Sequence, residues 1–462
     1  MSVGDVPATL VLLGATGDLA KRYLLPALAR LHVAGQVPER FSLLGVSQGH
    51  LDDDAFRAGA AAAVREHAPE VPGPQRDAMV AQMRYAAADV TSPDALRSVL
   101  DTAAPPVVVY LALPHTLFAP VITALGRIGL PAGSRLVVEK PFGTDLEDAR
   151  RLNRLVLAVL DESGVFRVDH FLAKQTVLNL LGLRFANRIF EPVWHAGHVE
   201  RVDIVFDETL GLEGRAGYYD GAGALLDMVQ NHLLQLLCLV AMEPPTSLGE
   251  RDLRDRKLDV LRAVRSLDQA EVVAGTVRAR YTAGRVQGRE LPAYVDEPGV
   301  RPDRGTETFA QVRFFVDNWR WAGVPFVLRS GKALGRDRRE VAVTFRRVPH
   351  QTFGADEPAP ADVLRLGLDP DRIALEVNLN GAGDPFDLER ADLAAEFPPV
   401  ELPPYSQLLA AVLAGDPTLS IRGDEAEESW RVIEPILRVW SAGAVPLQAY
   451  PAGSDGPVQY RS

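Results

Sequence analysis

Cysteine is almost missing from this chain. Its 462 residues include one, Cys238, so no intrachain disulfide and no cysteine-ligated metal site can form, and a reducing compartment is expected. Its setting, Leu236-Leu237-Cys238-Leu239-Val240, reads as a small buried hydrophobe. Long apolar runs are lacking as well. No stretch approaches the roughly 20 uncharged apolar residues of a membrane helix, and Met1 to Pro7 has no basic region followed by an apolar run, so no secretory leader is expected. A cytoplasmic protein with no membrane partner follows as the expectation. An excess of positive charge is also absent. With 49 Lys and Arg against 61 Asp and Glu the net charge is -12, which argues against a nucleic-acid partner, since a phosphate backbone is bound by clustered basic side chains. A small anion needs only a local basic pocket.

What is present is the balance of a globular protein, 47% hydrophobic and 24% charged. The length exceeds one ordinary core, so two or three domains are expected. The first third alternates strand and helix. Ala8 to Leu13 is a continuous apolar run, as in a parallel strand covered on both faces. Phe41–Val46, Val107–Leu113 and Arg135–Val138 read as three more strands, which predicts a doubly wound parallel sheet over residues 1–165. The texture then changes. Helices are predicted near Leu172–Ala186 and Ala224–Met242. Strand-like runs follow at Glu271–Tyr281, Phe309–Val316, Val341–Arg346 and Arg372–Leu379, where apolar and polar residues partly alternate. Residues 166–462 are therefore expected to form a larger α+β domain with a mainly antiparallel sheet. Stretches rich in Pro and Gly at Leu291–Gly305 and Phe353–Ala361 read as surface loops.

Gly14-Ala15-Thr16-Gly17-Asp18-Leu19-Ala20-Lys21 follows the first strand and opens a helix. Glycines there let backbone approach a pyrophosphate, and the helix start offers N–H groups and partial positive charge. The spacing is G-x-x-G-x-x-A rather than the commoner G-x-G-x-x-G, but its place after the first strand points to a dinucleotide. At the end of the second strand an acidic residue would mark NAD and an Arg would mark NADP. Ser47-Gln48-Gly49 supplies neither, so the sequence leaves NADP and NAD open.

Three later segments place polar residues where packing alone would not. In Arg167 to Gln175, helical spacing would put His170 and Lys174 on one face, two cationic donors suited to a phosphate; a solvated basic face is the plain alternative. In Asp227 to Gln235, Gln230, Asn231 and His232 interrupt an apolar helix, and burying these groups together with Asp227 is costly unless they serve a site. Asn318 to Pro325, then Leu328 to Lys332, is an aromatic–Arg–aromatic run leading to a Gly-Lys turn. It reads either as core stacking or as the support of Lys332 at a pocket rim.

Together these blocks resemble the glucose-6-phosphate dehydrogenase family in order and across nearly the whole chain. They are Gly14 to Lys21, Glu139-Lys140-Pro141-Phe142-Gly143, Arg167-Val168-Asp169-His170, Leu183 to Asn187, Glu213-Gly214-Arg215, Asp227 to Gln235, Asn318 to Gly323, and Asp424-Glu425 with Trp430 and Pro435. The resemblance implies a Rossmann-like N-terminal domain and an α+β domain whose sheet makes a homodimer or homotetramer. It implies oxidation of glucose 6-phosphate at C1, the first step of the oxidative pentose phosphate pathway, with hydride passing to NADP or NAD. His232 would be the general base and Asp169 the carboxylate that orients it. His170 and Lys174 would clamp the phosphate, Glu208 and Asp227 would hold sugar hydroxyls, and Lys332 and Lys21 would stand where sugar meets cofactor. Gly14, Thr16, Gly17, Asp18, Leu19, Gln48 and Lys140, with Lys21, complete the implied cofactor side; no metal site is implied. The chain departs from the family at Phe171, where Tyr is usual, at Ala173 for Gly and Gln175 for Glu, and at Gln48, where NADP-using members carry Arg. Past Lys332 the family's basic position falls to Arg336, Arg338 or Arg339, with Asp337 interposed. Two other readings compete: a dehydrogenase of a different sugar phosphate, and a non-catalytic relative that regulates a partner enzyme.

Overall fold

Thr9–Leu13 (β1) is buried at every position, the signature of a strand with helices on both faces. In the computed structural model of the chain, which describes residues 7–38, 41–350, 352–353, 358–383, 387–398 and 400–458, it lies inside a parallel sheet. Ser42–Ser47 (β2), Met83–Ala87 (β3), Val107–Leu111 (β4), Arg135–Glu139 (β5) and Val165–Val168 (β6) complete that sheet in the order β6-β5-β4-β1-β2-β3. Only the short edge strand Ser420–Ile421 (β17) pairs antiparallel, with β6. This is the doubly wound order, which brings the carboxyl ends of all six parallel strands to one edge. Side-chain caps fix where the intervening helices begin. Asp52 accepts from the Ala55 N–H at 2.8 Å and Asp145 from the Asp148 N–H at 2.8 Å.

The chain divides into two compact units, one of Met1–Lys174, Pro245–Arg254 and Val400–Glu427, the other of Gln175–Pro244, Asp255–Pro399 and Glu428–Ser462. The first thus includes late segments that local sequence texture does not attach to it. Helix Pro404–Ala414 returns to it by burying Leu408, Leu409, Val412 and Leu413 against Leu24, Leu28 and Leu31. Buried Arg135 ties the helix end, donating to the Val412 and Leu413 carbonyls at 2.6 Å each.

The second unit is built on a nine-stranded sheet. Its strands are Val199–Asp207 (β7), Thr276–Thr282 (β8), Phe309–Phe315 (β11), Pro325–Gly331 (β12), Arg338–Phe345 (β13), Val363–Leu368 (β14), Asp371–Asn380 (β15), Leu388–Glu396 (β16) and Leu447–Pro451 (β18); a separate hairpin joins Gly284–Val286 (β9) to Arg289–Leu291 (β10). All neighbouring pairs in the larger sheet are antiparallel except β7 with β12 and β8 with β18. The expected α+β domain with a mainly antiparallel sheet is what forms.

One expected strand is half helix. Within Glu271–Tyr281 the first residues belong to helix Gln269–Gly275, which opens with a reciprocal cap between Asp268 and Glu271. Strand β8 begins only at Thr276. The cap satisfies two helix-start donors at once and overrides the β-branched Val272 and Val273. The stretch Leu291–Gly305 is mostly irregular, but it is not all surface, since Tyr294 is fully buried. Residues 354–357 of the other expected loop, and residues 1–6 of the start searched for a leader, lie outside the described residues. By length and composition the helical run Ala216–Ala241 could cross a membrane, yet 89% of its most apolar window is buried inside the protein. It is the core helix of its unit.

Candidate active site

The first unit gathers its candidates on the carboxyl edge of the parallel sheet. Gly14 leaves β1 at φ +88°, and a Cβ there would lie 2.1 Å from the Ala112 carbonyl oxygen beyond β4. Only glycine fits. The Gly17 N–H closes the turn on the Gly14 carbonyl at 3.0 Å. The chain then enters a π-helical turn, Ala20–Leu24, that continues as α-helix Leu25–Val33. Asp18 and Lys21 are exposed on this start, Leu19 is half-buried, and Asp18 pairs with Arg22 at 3.6 Å. Thr16 is braced from the neighbouring strand, for Ser47 Oγ accepts both its N–H (3.3 Å) and its hydroxyl (3.1 Å). Ser47 therefore holds the turn, and Gln48 beside it is exposed.

Lys140 follows β5 and Asp169 follows β6. Asp169 is buried, and its Oδ1 accepts the Phe171 N–H at 2.9 Å, capping a short 3-10 helix, His170–Ala173. That helix stops before Lys174, which is extended at φ -74° and ψ 138°. His170 and Lys174 thus do not share an α-helical face. The Asx cap tightens the segment into a 3-10 turn, and the α-helix starts only at Gln175. The two are related instead through Phe171, whose ring lies 4.6 Å from Lys174 Nζ and edge-on to His170 at 5.1 Å.

Reading the sequence alone missed the support behind His170. Tyr405 stacks on it at 5.3 Å and 16°, and Tyr23 lies 5.1 Å from Tyr405. Tyr110 donates to Glu139 Oε1 at 2.5 Å. Desolvation raises the Glu139 carboxyl to about 7, with Tyr110 and Lys140 opposing the rise and Asp169 adding to it. Burial, with the charges of Glu139 and Asp169, also drives the Tyr405 hydroxyl well above its ordinary range. No local signal in the sequence links residue 405 to residue 170.

In the second unit, Asp227 and His232 share one element. Leu225–Leu233 is a π-helix running into α-helix Leu234–Ala241. A π-helix of this length is rare and characteristic of functional sites, and its wider turn brings residues five apart onto one side. Asn231 stabilises the wide register, donating to the Leu226 carbonyl at 2.9 Å while its Oδ1 accepts the His232 N–H at 2.6 Å. Gln230, Asn231 and His232 are buried and Asp227 is half-buried. Further along, buried Lys257 donates to Gln235 Oε1 at 3.1 Å; its charged surroundings in the sequence, Arg-Asp-Arg-Lys, mask it as a surface residue.

Glu208 and Lys332 come together at the carboxyl ends of the parallel pair β7 and β12, Nζ to Oε2 at 2.6 Å, both with little exposure. Tyr219, also missed, lies beneath Lys332 Nζ at 5.2 Å. Burial and the charges of Asp227, Glu307 and Glu208 push its hydroxyl far up. Of the three arginines past Lys332, Arg338 pairs with Glu340 and Arg339 with Asp369, which leaves Arg336 exposed. Asp337 accepts the Thr209 N–H at 2.9 Å. The aromatic–Arg–aromatic run is no stack: Trp319 is fully exposed, Trp321 is buried, and Arg320 pairs with Glu191 and Glu243.

The arrangement offers a backbone cradle for a pyrophosphate in one unit and, in the other, a buried imidazole with carboxylates and a lysine suited to a polyhydroxylated anion. Residues 11–179 match the sequence family described as glucose-6-phosphate dehydrogenase, NAD binding domain, and residues 181–462 match glucose-6-phosphate dehydrogenase, C-terminal domain. Glucose-6-phosphate 1-dehydrogenase of Gluconobacter oxydans is 42% identical, covering 98% of this chain and 95% of its own. That of Mycolicibacterium smegmatis is 40% identical, covering 98% and 94%. The crystal structure of glucose-6-phosphate 1-dehydrogenase from Mycobacterium avium superposes with a TM-score of 0.86 at 36% identity over 98% and 96% of the two chains. A glucose-6-phosphate dehydrogenase solved in complex with its substrate glucose-6-phosphate gives 0.89 at 29% identity over 99% and 97%.

Proposed function

This chain belongs to the glucose-6-phosphate dehydrogenase family, and from that membership we propose that it oxidises glucose 6-phosphate at C1 to 6-phosphoglucono-lactone with NADP or NAD as hydride acceptor. The observation that carries the reading is a fully buried His232 held on a π-helix together with Asp227. A histidine in so apolar a helix is costly unless it serves a reaction.

His232 takes the proton of the C1 hydroxyl, and Asp169 orients the imidazole and stabilises its cationic form. His170 and Lys174 hold the phosphate, with Tyr405 and Phe171 fixing their rings and stems. Glu208 and Asp227 accept from sugar hydroxyls, and Lys332 holds and aims the Glu208 carboxylate. The nicotinamide supplies the hydride acceptor when bound. Gly14, Thr16, Gly17, Asp18, Leu19, Lys21, Gln48 and Lys140 are the residues that would hold the dinucleotide, and the steric demand at Gly14 fits that use. The first unit serves the cofactor and also carries Asp169, His170 and Lys174; the second carries the other sugar-holding residues and serves self-association. Exposed Leu379 and Leu393 on the outer strands β15 and β16 support a homodimer or homotetramer. The lone buried Cys238 accords with a reducing cytoplasm.

A panel of sugar phosphates assayed with NAD and with NADP tests the reading. The largest kcat/KM is expected with glucose 6-phosphate. No turnover with any sugar phosphate would sink the proposal.

A further inference from the structure

Glu307 is a buried acid of the second unit with no part in the chemistry above. It immediately precedes Thr308 and β11. Helix Ala216–Ala224 breaks at Gly223, whose φ is +65°, and a new helix starts at Leu225. A helix start leaves N–H groups with no intrahelical partner, and no side chain at the cap position serves them here. Glu307 serves them from a different element. Its carbonyl accepts the Ala224 N–H at 3.2 Å and its Oε1 accepts the Leu225 N–H at 3.1 Å. The seat is tight, since a Cβ on Gly223 would lie 2.3 Å from Glu307 Oε1. The helix so held is the one that carries Asp227 and His232.

Glu307 also borders a cavity of about 550 Å³, with Leu226, Asp220, Arg278, Arg304 and Trp440 in its wall. The other charged groups there are already committed. Asp220 accepts from Tyr294, from the Arg301 N–H and from Arg304, and Arg278 donates to the Trp440 and Gly305 carbonyls. Glu307, the acid that caps the helix, is thus among the residues that line this cavity.

We propose that Glu307 is a positioning residue, an ionisable cap bordering this cavity that seats the helix Leu225–Leu233, and with it Asp227 and His232, according to proton concentration. Burial lifts its carboxyl to about 7, against the Leu225 N–H and the charge of Arg278 on β8. Tyr219 and Tyr294 also face it, and its charge raises both of their hydroxyls. Below about 7 the cap is neutral; above, it is a carboxylate, and a pKa raised in the seated cap means that burying the charge costs more than the Leu225 N–H and Arg278 return, so the charged form favours the opened helix start.

Glu307→Gln keeps an acceptor of the same shape that cannot ionise. Deuterium exchange of residues 225–233, corrected for intrinsic rates, is expected to quicken in the natural protein between about pH 6 and about pH 8.5, and to show no such step in Glu307→Gln. The ratio of kcat, natural protein over variant, is expected near one at about pH 6 and about three- to tenfold lower at about pH 8.5, with a smaller change in KM. A merely structural acid would give a ratio independent of pH, and that result overturns the proposal. Should the variant not fold, the natural protein decides alone: no protection step across that pH interval overturns it. The turnover arm rests on His232 as base. A natural protein inactive on sugar phosphates sinks that reading, while the exchange arm still judges the cap.

Discussion

At the scale of single residues the proposed chemistry rests on His232. Its ring is buried, and Asn231 fixes the backbone that presents it by accepting the His232 N–H. His232→Asn should lower kcat by about 10²–10⁴, the usual worth of a positioned base. Glucose 6-phosphate binding, measured by calorimetry, should change little, because the pocket stays polar. Near-normal turnover would remove His232 from the mechanism. Cofactor choice is argued at the same scale. Gln48 is exposed at the end of β2, where a cation would face the ribose 2′ position. Gln48→Arg should raise the NADP/NAD ratio of kcat/KM about tenfold, in line with one added charged hydrogen bond. An unchanged ratio would mean that the cofactor is read elsewhere.

At the scale of elements, two strand–helix junctions do most of the positioning. Between β1 and its helix, Gly14 passes so near the Ala112 carbonyl that no side chain fits, and its positive φ adds strain for any L-residue. Gly14→Ala should weaken dinucleotide binding at least about tenfold and cost on the order of 1–3 kcal/mol of stability. Fluorescence titration and thermal unfolding check both, and a variant that binds normally would show that the turn does not cradle the cofactor. Past β6, the Asp169 cap winds residues 170–173 into a 3-10 turn and leaves Lys174 extended. The sequence pattern of His170 and Lys174 suited an α-helix; a single carboxylate hydrogen bond decided otherwise.

At the scale of the whole molecule, buried acids make stability depend on pH. Glu139 is raised to about 7 and Asp207 to about 6, in each case by desolvation that its partners only partly offset. A carboxyl with a folded pKa above its unfolded value binds protons more tightly when folded, so its contribution falls as pH rises from the unfolded value through the folded one. For Glu139 that window runs from 4.5 to about 7. Glu139→Gln removes the ionisation and keeps an acceptor for Tyr110. Its melting temperature relative to the natural protein should therefore climb between about pH 5 and about pH 8, a relative gain on the order of 1–3 kcal/mol. A difference that does not vary with pH would mean that Glu139 stays neutral or stays charged throughout.

Much of this protein follows from the order of its residues. Continuous apolar runs such as Val107–Leu111 can only be strands covered on both faces, the glycine turn after β1 announces a dinucleotide site, and the polar residues of Asp227–Gln235 are too costly in an apolar helix to be idle. Those signals are local, set by side-chain period and by solvation. Tertiary structure decided what depends on residues distant in the chain. Tyr405 reaches His170 because an apolar helix face brings residues 404–414 back to the first core. Lys332 meets Glu208 because β7 and β12 run parallel, and Glu307 meets the helix start across some 80 residues because Gly223 has no side chain to block it. Burial, hydrogen bonding and pKa belong to such meetings, and no window of sequence contains both partners.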